Sequence, residues 1–245
     1  MAKSKRKKVE SIRNLVSELP KKDVADKMVT KKTDGGTAHG TVIIGDEPPN
    51  LNTQNSKSVN LKANNLFCSI IHTTFFEPKQ CDTIVNSLIE ELWMSGEVVG
   101  GGLDKKLRNV EQQIMPINKE GWPLTRVLQL VKQANNARFK FDVSGFLDVD
   151  APMIMRYEKG SHYDWHIDAG NSVPHRKLSF TIQLSDPEDY VGGDMEFIGT
   201  NVHKEALRQK GTCIIFPSFL PHRITKVTKG KRFAIVGWIH GPTYI

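Results

Sequence analysis

Apolar residues recur along this chain at two different spacings, and the change between them falls near residue 139. Ile84, Val85, Leu88, Ile89, Leu92 and Trp93 sit at i, i+1, i+4, i+5, i+8 and i+9, one stripe on a helix of about four turns. Leu124, Val127, Leu128, Val131 and Ala134 make a second stripe after Trp122-Pro123, and proline is accepted in a first turn. The glycines between 96 and 102 predict a loop between the two helices. Beyond that point the pattern shortens to extended runs at 139–146, 153–157, 164–167, 178–184, 195–198, 213–216 and 233–239. Gly160, Asp186-Pro187, Gly192-Gly193, Gly211, Pro217 and Gly230 punctuate them as turns. Short strands with no helical crossovers predict an antiparallel sandwich or barrel rather than a doubly wound sheet. The fold class is therefore mainly β with flanking helices, the helices coming first.

Residues 1–65 lack this patterning. The stretch 33–65 is rich in Gly, Asn, Thr and Ser around Pro48-Pro49 and reads as a linker with one short strand at 41–44. Apolar density rises at Leu66, with Phe67, Ile70, Ile71, Phe75 and Phe76 following. This divides the sequence into a basic, flexible extension and linker over 1–65 and one folded domain over 66–245. The net charge of +7 changes the picture only once it is located. Residues 1–32 hold eleven Lys/Arg against four acids, and the remainder is balanced at 23 of each. A tail of this kind is a solvated extension, or a contact to nucleic acid through counterion release. No aromatic residue is interleaved with its lysines, so stacking on single-stranded bases has no support.

Composition excludes several classes. At 38% hydrophobic and 25% charged the protein is neither collagen-like nor wholly disordered. No stretch approaches the roughly 18 apolar residues of a membrane span, and no apolar core follows the basic start as a signal peptide requires. Cys68, Cys81 and Cys213 are odd in number and unrelated in spacing, which excludes a disulfide framework and a CxxC zinc site. A reducing, cytoplasmic setting is expected.

The informative chemistry begins at Tyr163-Asp164-Trp165-His166-Ile167-Asp168. On a strand, residues two apart share a face, so His166 and Asp168 project together and Ile167 points into the opposite layer. Alone, such a pair reads as an ordinary surface pair. With His222 from another strand, two imidazoles and a carboxylate form the ligand set of non-heme Fe(II), with positions left open for a co-substrate and dioxygen. Arg232, at the head of the apolar run 233–238, can point into the same interior, where a guanidinium calls for a carboxylate held bidentately. A structural salt bridge is its plainer reading.

These residues extend into a longer ordered series. It runs Tyr157-x-x-Gly160-x-x-Tyr163-x-x-His166-x-Asp168, Arg176-Lys177-Leu178-Ser179, Gln183-Leu184-Ser185-Asp186 and Tyr190-x-Gly192-Gly193-Asp194. It continues with Phe216-Pro217-Ser218, His222-Arg223-Ile224-x-x-Val227-x-x-Gly230-x-Arg232 and Gly237-Trp238-Ile239. Over residues 75–242 the sequence resembles the 2-oxoglutarate- and Fe(II)-dependent dioxygenases, specifically the prolyl 4-hydroxylase-like branch with its PKHD-type hydroxylases. The resemblance implies a double-stranded β-helix (jelly-roll) core. It implies iron held by His166, Asp168 and His222, Arg232 on the distal carboxylate of 2-oxoglutarate, and Tyr157 near the co-substrate. It also implies hydroxylation of an unactivated C–H bond with release of succinate and CO2, with ascorbate as reductant. The expected substrate is an amino-acid residue in a protein or peptide, prolyl first. Hydroxylation of a small molecule or nucleobase, and a non-catalytic metal-binding relative, are the alternatives.

The neighbouring residues receive lesser roles. His162, His175 and His240 read as non-ligands, Lys177 as a second anion contact, and Gly192-Gly193 and Gly230 as turns. Loops at 96–108 and 170–174 are expected over the barrel mouth, where selectivity is set.

Overall fold

The computed structural model of the protein describes residues 41–44, 69–97, 104–118, 121–170, 172–198 and 204–243. The basic tail at 1–32, Cys68 and most of the expected loop at 96–102 lie outside these residues. Among the described residues, no helix is long and apolar enough to cross a membrane.

Fourteen strands appear in sequence order among the described residues. They are β1 (Thr41–Ile44), β2 (Ser69–His72), β3 (Met94–Ser95), β4 (Arg108–Asn109), β5 (Glu111–Ile114), β6 (Met153–Tyr157) and β7 (His162–His166), followed by β8 (Arg176–Gln183), β9 (Tyr190–Val191), β10 (Met195–Phe197), β11 (Cys213–Pro217), β12 (His222–Ile224), β13 (Lys229–Gly230) and β14 (Arg232–His240). Eight of them form a sheet in the order β1-β2-β11-β8-β14-β6-β5-β3, and four form a second in the order β10-β12-β7-β4. The pairings between named strands are antiparallel, as the missing crossovers predict. The expected strand at 41–44 is present as β1, hydrogen-bonded to β2 at the edge of the large sheet.

Period-two alternation splits the large sheet's side chains between two cores. Leu178, Phe180 and Ile182 of β8, Ile154 of β6 and Ile235 and Ile239 of β14 face helices α1 (Pro78–Asn86) and α2 (Leu124–Ala134). Those helices return Cys81, Ile84, Leu124, Val127 and Val131 to the same cluster. Met155 and Tyr157 of β6 and Ile214 and Phe216 of β11 face the other way, toward Met195, Phe197 and Ile224 of the four-stranded sheet. This second cluster lies between the two sheets of a jelly roll, and the site opens into it. Helix α3 (Lys204–Arg208) contributes Leu207.

Three expectations differ from the structure. The stripe from Ile84 to Trp93 is not one helix. Ser87 bonds its Oγ back to the Ile84 carbonyl (2.7 Å) as α1 ends, and a short 3-10 turn at Glu90–Leu92 follows. Val85, Leu88 and Trp93 still reach the core, so the stripe reports burial rather than one continuous helix. The run 139–146 is not a strand either. Asn135 substitutes for a neighbouring strand by donating Nδ2 to the Phe141 carbonyl (2.8 Å) and accepting from the Phe141 amide (2.9 Å). Within that run, ladder pairing is limited to Gly145 opposite His240. Ile167 does not enter an opposite layer. It is 46% exposed and Trp165 37%, so the four-stranded sheet turns its outer face to solvent there.

Candidate metal centre and active site

Strand β7 ends on His166 and β12 begins on His222, and the antiparallel register sets the two directly opposite each other. Their ring centroids are 4.2 Å apart. Past the end of β7, the amides of Asp168 and Ala169 both donate to the Ser218 carbonyl (2.8 and 2.9 Å), which swings the Asp168 carboxylate under both rings. His166 Nε2 lies 3.6 Å from Asp168 Oδ1, and His222 Nε2 lies 3.6 Å from Asp168 Oδ2. One donor atom from each residue falls within 4.8 Å of the others.

The imidazoles are oriented by backbone. His166 Nδ1 lies 2.7 Å from the Asp164 carbonyl, and His222 Nδ1 lies 2.9 Å from the Leu220 carbonyl. A carbonyl only accepts, so each Nδ1 carries a hydrogen and each ring turns its Nε2 edge toward Asp168. Burial pushes His222 down to about 4, which keeps it neutral. Burial alone would raise the Asp168 carboxyl, but His222, His166 and the Ser179 hydroxyl outweigh it and hold it well below the usual carboxylate range. Two imidazole lone pairs and one carboxylate at this spacing fit a divalent cation of the ferrous kind.

Behind Asp168, Ser179 Oγ donates to Oδ2 (2.7 Å) and lies 3.0 Å from Ser218 Oγ. Ser179 is fully buried on the interior-facing side of β8, so no solvent replaces this bond. Ser179→Ala is expected to weaken metal binding about 10- to 100-fold while leaving the three donors in place. A metal titration compared with wild type checks this.

Arg232 and Tyr157 are cross-strand partners on β14 and β6, and the guanidinium carbon stands 5.0 Å above the tyrosine ring. Both are buried, and both line the cavity of about 200 Å³ that also contains His166, Asp168 and His222. The cavity's other walls include Met155, Met195, Phe216 and Ile224. Among the described residues, no carboxylate stands within ion-pair distance of Arg232. Gly192-Gly193 does more than turn the backbone. A Cβ on Gly193 (φ 65°) would sit 3.1 Å from Arg232 Cδ and 2.9 Å from Val227, so this glycine lets the loop close over the arginine.

Lys177 does not line the cavity, and Arg176 does. The register slips between Ile239 and His240, so Leu178 pairs with Ile239 and Arg176 with His240, which turns Arg176 inward. Its guanidinium lies 3.5 Å over Trp238 and donates to the Asp168 carbonyl (3.3 Å) and to both oxygens of Asp150 (2.7 Å each). Ser179 and Arg176 stand in the motif series, but the sequence assigns neither a role. The signal for Ser179 was a polar residue on alternate positions of an otherwise apolar strand. His162 Nε2 lies 2.9 Å from the Lys106 carbonyl, apart from the cluster.

Asp150, His175 and His240 form a second group within metal-binding reach, but Arg176 already engages both Asp150 oxygens. His240 Nε2 lies 2.9 Å from Asp150 Oδ2. Burial would raise this carboxyl, yet the bonds from His240 and Arg176 prevail and lower it. A carboxyl depressed in the folded state stabilises the fold above its unfolded value near ~3.9, and that contribution is lost as pH falls through the folded value. Asp150→Ala is expected to cost about 3 kcal/mol in denaturant unfolding at neutral pH. Asp150→Asn should flatten the loss of stability that wild type shows below about pH 4.

Comparison with known proteins places this geometry in context. The 2OG-Fe(II) oxygenase superfamily profile matches residues 152–240. A PKHD-type hydroxylase of Gloeothece citriformis is 32% identical over 171 residues, covering 68% of this chain and 75% of that protein. One of Synechococcus elongatus is 30% identical over 166 residues, covering 65% and 73%. In fold, the protein is similar to a Pseudomonas putida prolyl-4-hydroxylase (TM-score 0.55, 19% identity, 71% of this chain and 92% of that one). It is also similar to a prolyl hydroxylase from Trichoplax adhaerens solved with a peptide fragment of hypoxia inducible factor (TM-score 0.51, 16% identity, 71% and 83%).

Proposed function

This chain belongs to the 2OG-Fe(II) oxygenase superfamily, among its PKHD-type hydroxylases, and we propose that it hydroxylates an amino-acid residue of a protein or peptide, proline first, with release of succinate and CO2. It is an oxidoreductase whose family uses Fe(II), 2-oxoglutarate and dioxygen. The observation that carries the reading is the convergence of two oriented imidazoles on one carboxylate at 3.6 Å, inside the cavity that Arg232 lines.

In this reading His166, Asp168 and His222 hold the iron, and Arg232 takes the distal carboxylate of 2-oxoglutarate beside Tyr157. When bound, Fe(II) with 2-oxoglutarate supplies the oxidation that turns the co-substrate into succinate and CO2 and places oxygen on the C–H bond. The protein's own work is orientation and exclusion. Backbone carbonyls at Asp164 and Leu220 hold a hydrogen on Nδ1 and aim Nε2 of each histidine at Asp168, and Ser179 and Arg176 hold Asp168 from behind. A buried guanidinium fixes one end of the co-substrate so that only one orientation presents its keto-acid end to the metal. Met155, Met195, Phe216 and Ile224 keep water from the reacting centre.

Ascorbate serves as reductant in this proposal, and the dioxygenase domain occupies 66–245 behind a basic extension at 1–65. The peptide held by the Trichoplax protein supports a peptide substrate. A reducing, cytoplasmic setting is part of the same proposal; Cys81 and Cys213 are free and buried, and burial pushes the Cys81 thiol up to about 12. Incubating the full-length protein with Fe(II), 2-oxoglutarate and proline-containing peptides is expected to yield succinate together with peptides heavier by one oxygen atom. Succinate formation at background level, with and without peptide, contradicts the proposal.

A further inference from the structure

Arg108 is a third buried arginine on the cavity that Arg176 and Arg232 line, and no motif singled it out. The residue is 8% exposed, and its guanidinium carbon lies 4.9 Å over the Tyr163 ring, which in turn stacks on His166 at 3.4 Å and 9°. The guanidinium is therefore only one aromatic ring away from a proposed iron ligand. Its hydrogen bonds all go to neutral acceptors. Nη1 donates to the Glu97 carbonyl, and Nη2 donates to Gln112 Oε1 (2.8 Å) and approaches Met155 Sδ (3.7 Å). Nε is buried with no partner. Among the described residues, no carboxylate stands within ion-pair distance of Arg108, and Glu97 meets it through its backbone.

A desolvated guanidinium without a counterion is costly, and the cost is removed when an anion enters. 2-Oxoglutarate does not remove it. With a divalent metal, Asp168, Arg232 and a doubly anionic co-substrate, the centre is already neutral, and Asp150 neutralises Arg176. Arg108 remains as an unspent positive charge in the wall of the same cavity. We infer that Arg108 binds a carboxylate of the substrate, so that the hydroxylated carbon lies within a few bonds of that group. This rests on the proposed co-substrate role of Arg232, and it names the substrate class as carboxylate-bearing. The carboxylate comes from a free amino acid or the C-terminus of a peptide, or from an Asp or Glu side group within a peptide.

The test uses the full-length protein, loaded anaerobically with Fe(II), as wild type, Arg108→Met, Arg108→Lys and Arg232→Met. Titration with 2-oxoglutarate comes first. Arg232→Met should bind it at least about 100-fold more weakly, and Arg108→Met within about threefold of wild type. Retained binding in Arg232→Met sinks the co-substrate assignment, while a comparable loss in Arg108→Met sinks the substrate role of Arg108. The 2-oxoglutarate complexes are then dialysed to equilibrium against two probe sets, with bound fractions read by mass spectrometry. One set pairs free L-amino acids with their amides. The other pairs end-blocked peptides carrying Asp or Glu with their Asn or Gln counterparts. Wild type should hold at least one carboxylate probe about tenfold or more over its amide, the responding set identifying the source. That preference should vanish in Arg108→Met and return in part in Arg108→Lys. Equal binding of carboxylates and amides by wild type, or a preference that survives in Arg108→Met, overturns the inference.

Discussion

Asp168→Ala is expected to lower 2-oxoglutarate turnover at least about 1,000-fold while leaving a folded protein. The carboxylate is the one anionic member of the cluster, and both imidazoles are aimed at it across 3.6 Å. Without it, two imidazole nitrogens remain to hold a divalent cation, and Ser179 Oγ, in a site closed to water, keeps only its bond to Ser218 Oγ (3.0 Å). Losing one of these two bonds costs on the order of 1 kcal/mol, enough to lower the melting temperature but small beside the loss of the metal ligand. A succinate assay alongside circular dichroism separates the two effects. A folded Asp168→Ala protein that keeps a tenth of wild-type turnover would remove Asp168 from the ligand set.

Arg232→Met is expected to raise KM for 2-oxoglutarate about 100-fold or more, with a much smaller change in kcat at saturation. Its buried guanidinium has no described carboxylate in ion-pair reach, and in the proposed reading the co-substrate's distal carboxylate completes it. Lysine at this position should recover part of the affinity, since it restores the charge without the planar fork. Initial rates over a range of 2-oxoglutarate concentrations check this, and an unchanged KM counts against the clamp.

The sequence made the centre legible because its logic is local. The two-residue spacing of His166 and Asp168 marks them as a pair, although Asp168 lies past the end of β7 and is brought in by the Ser218 carbonyl, and the apolar run after Arg232 marks a buried strand whose first residue enters the interior. What closes the site was not legible, because it depends on register. The slip opposite His240 exchanges Arg176 for Lys177, and no periodicity in residues 176–184 announces a slip. Arg108 sits on a two-residue strand beside a glycine-rich loop, too short for a pattern to show which way it points. The helical stripe ending at Trp93 and the apolar run at 139–146 depart from their sequence patterns for a common reason. Burial repeats in both, but Ser87 and Asn135 redirect the backbone through side-chain hydrogen bonds that hydropathy does not register.

The most direct measurement is an anaerobic titration of the full-length protein with Fe(II) and 2-oxoglutarate, following the weak visible band of a metal-chelated keto acid. Wild type should saturate at one Fe(II) and one 2-oxoglutarate per protein molecule, and His222→Ala should show no band at the same concentrations. A wild-type protein without the band, or a His222→Ala protein with the band undiminished, would mean that these three side chains do not share one iron.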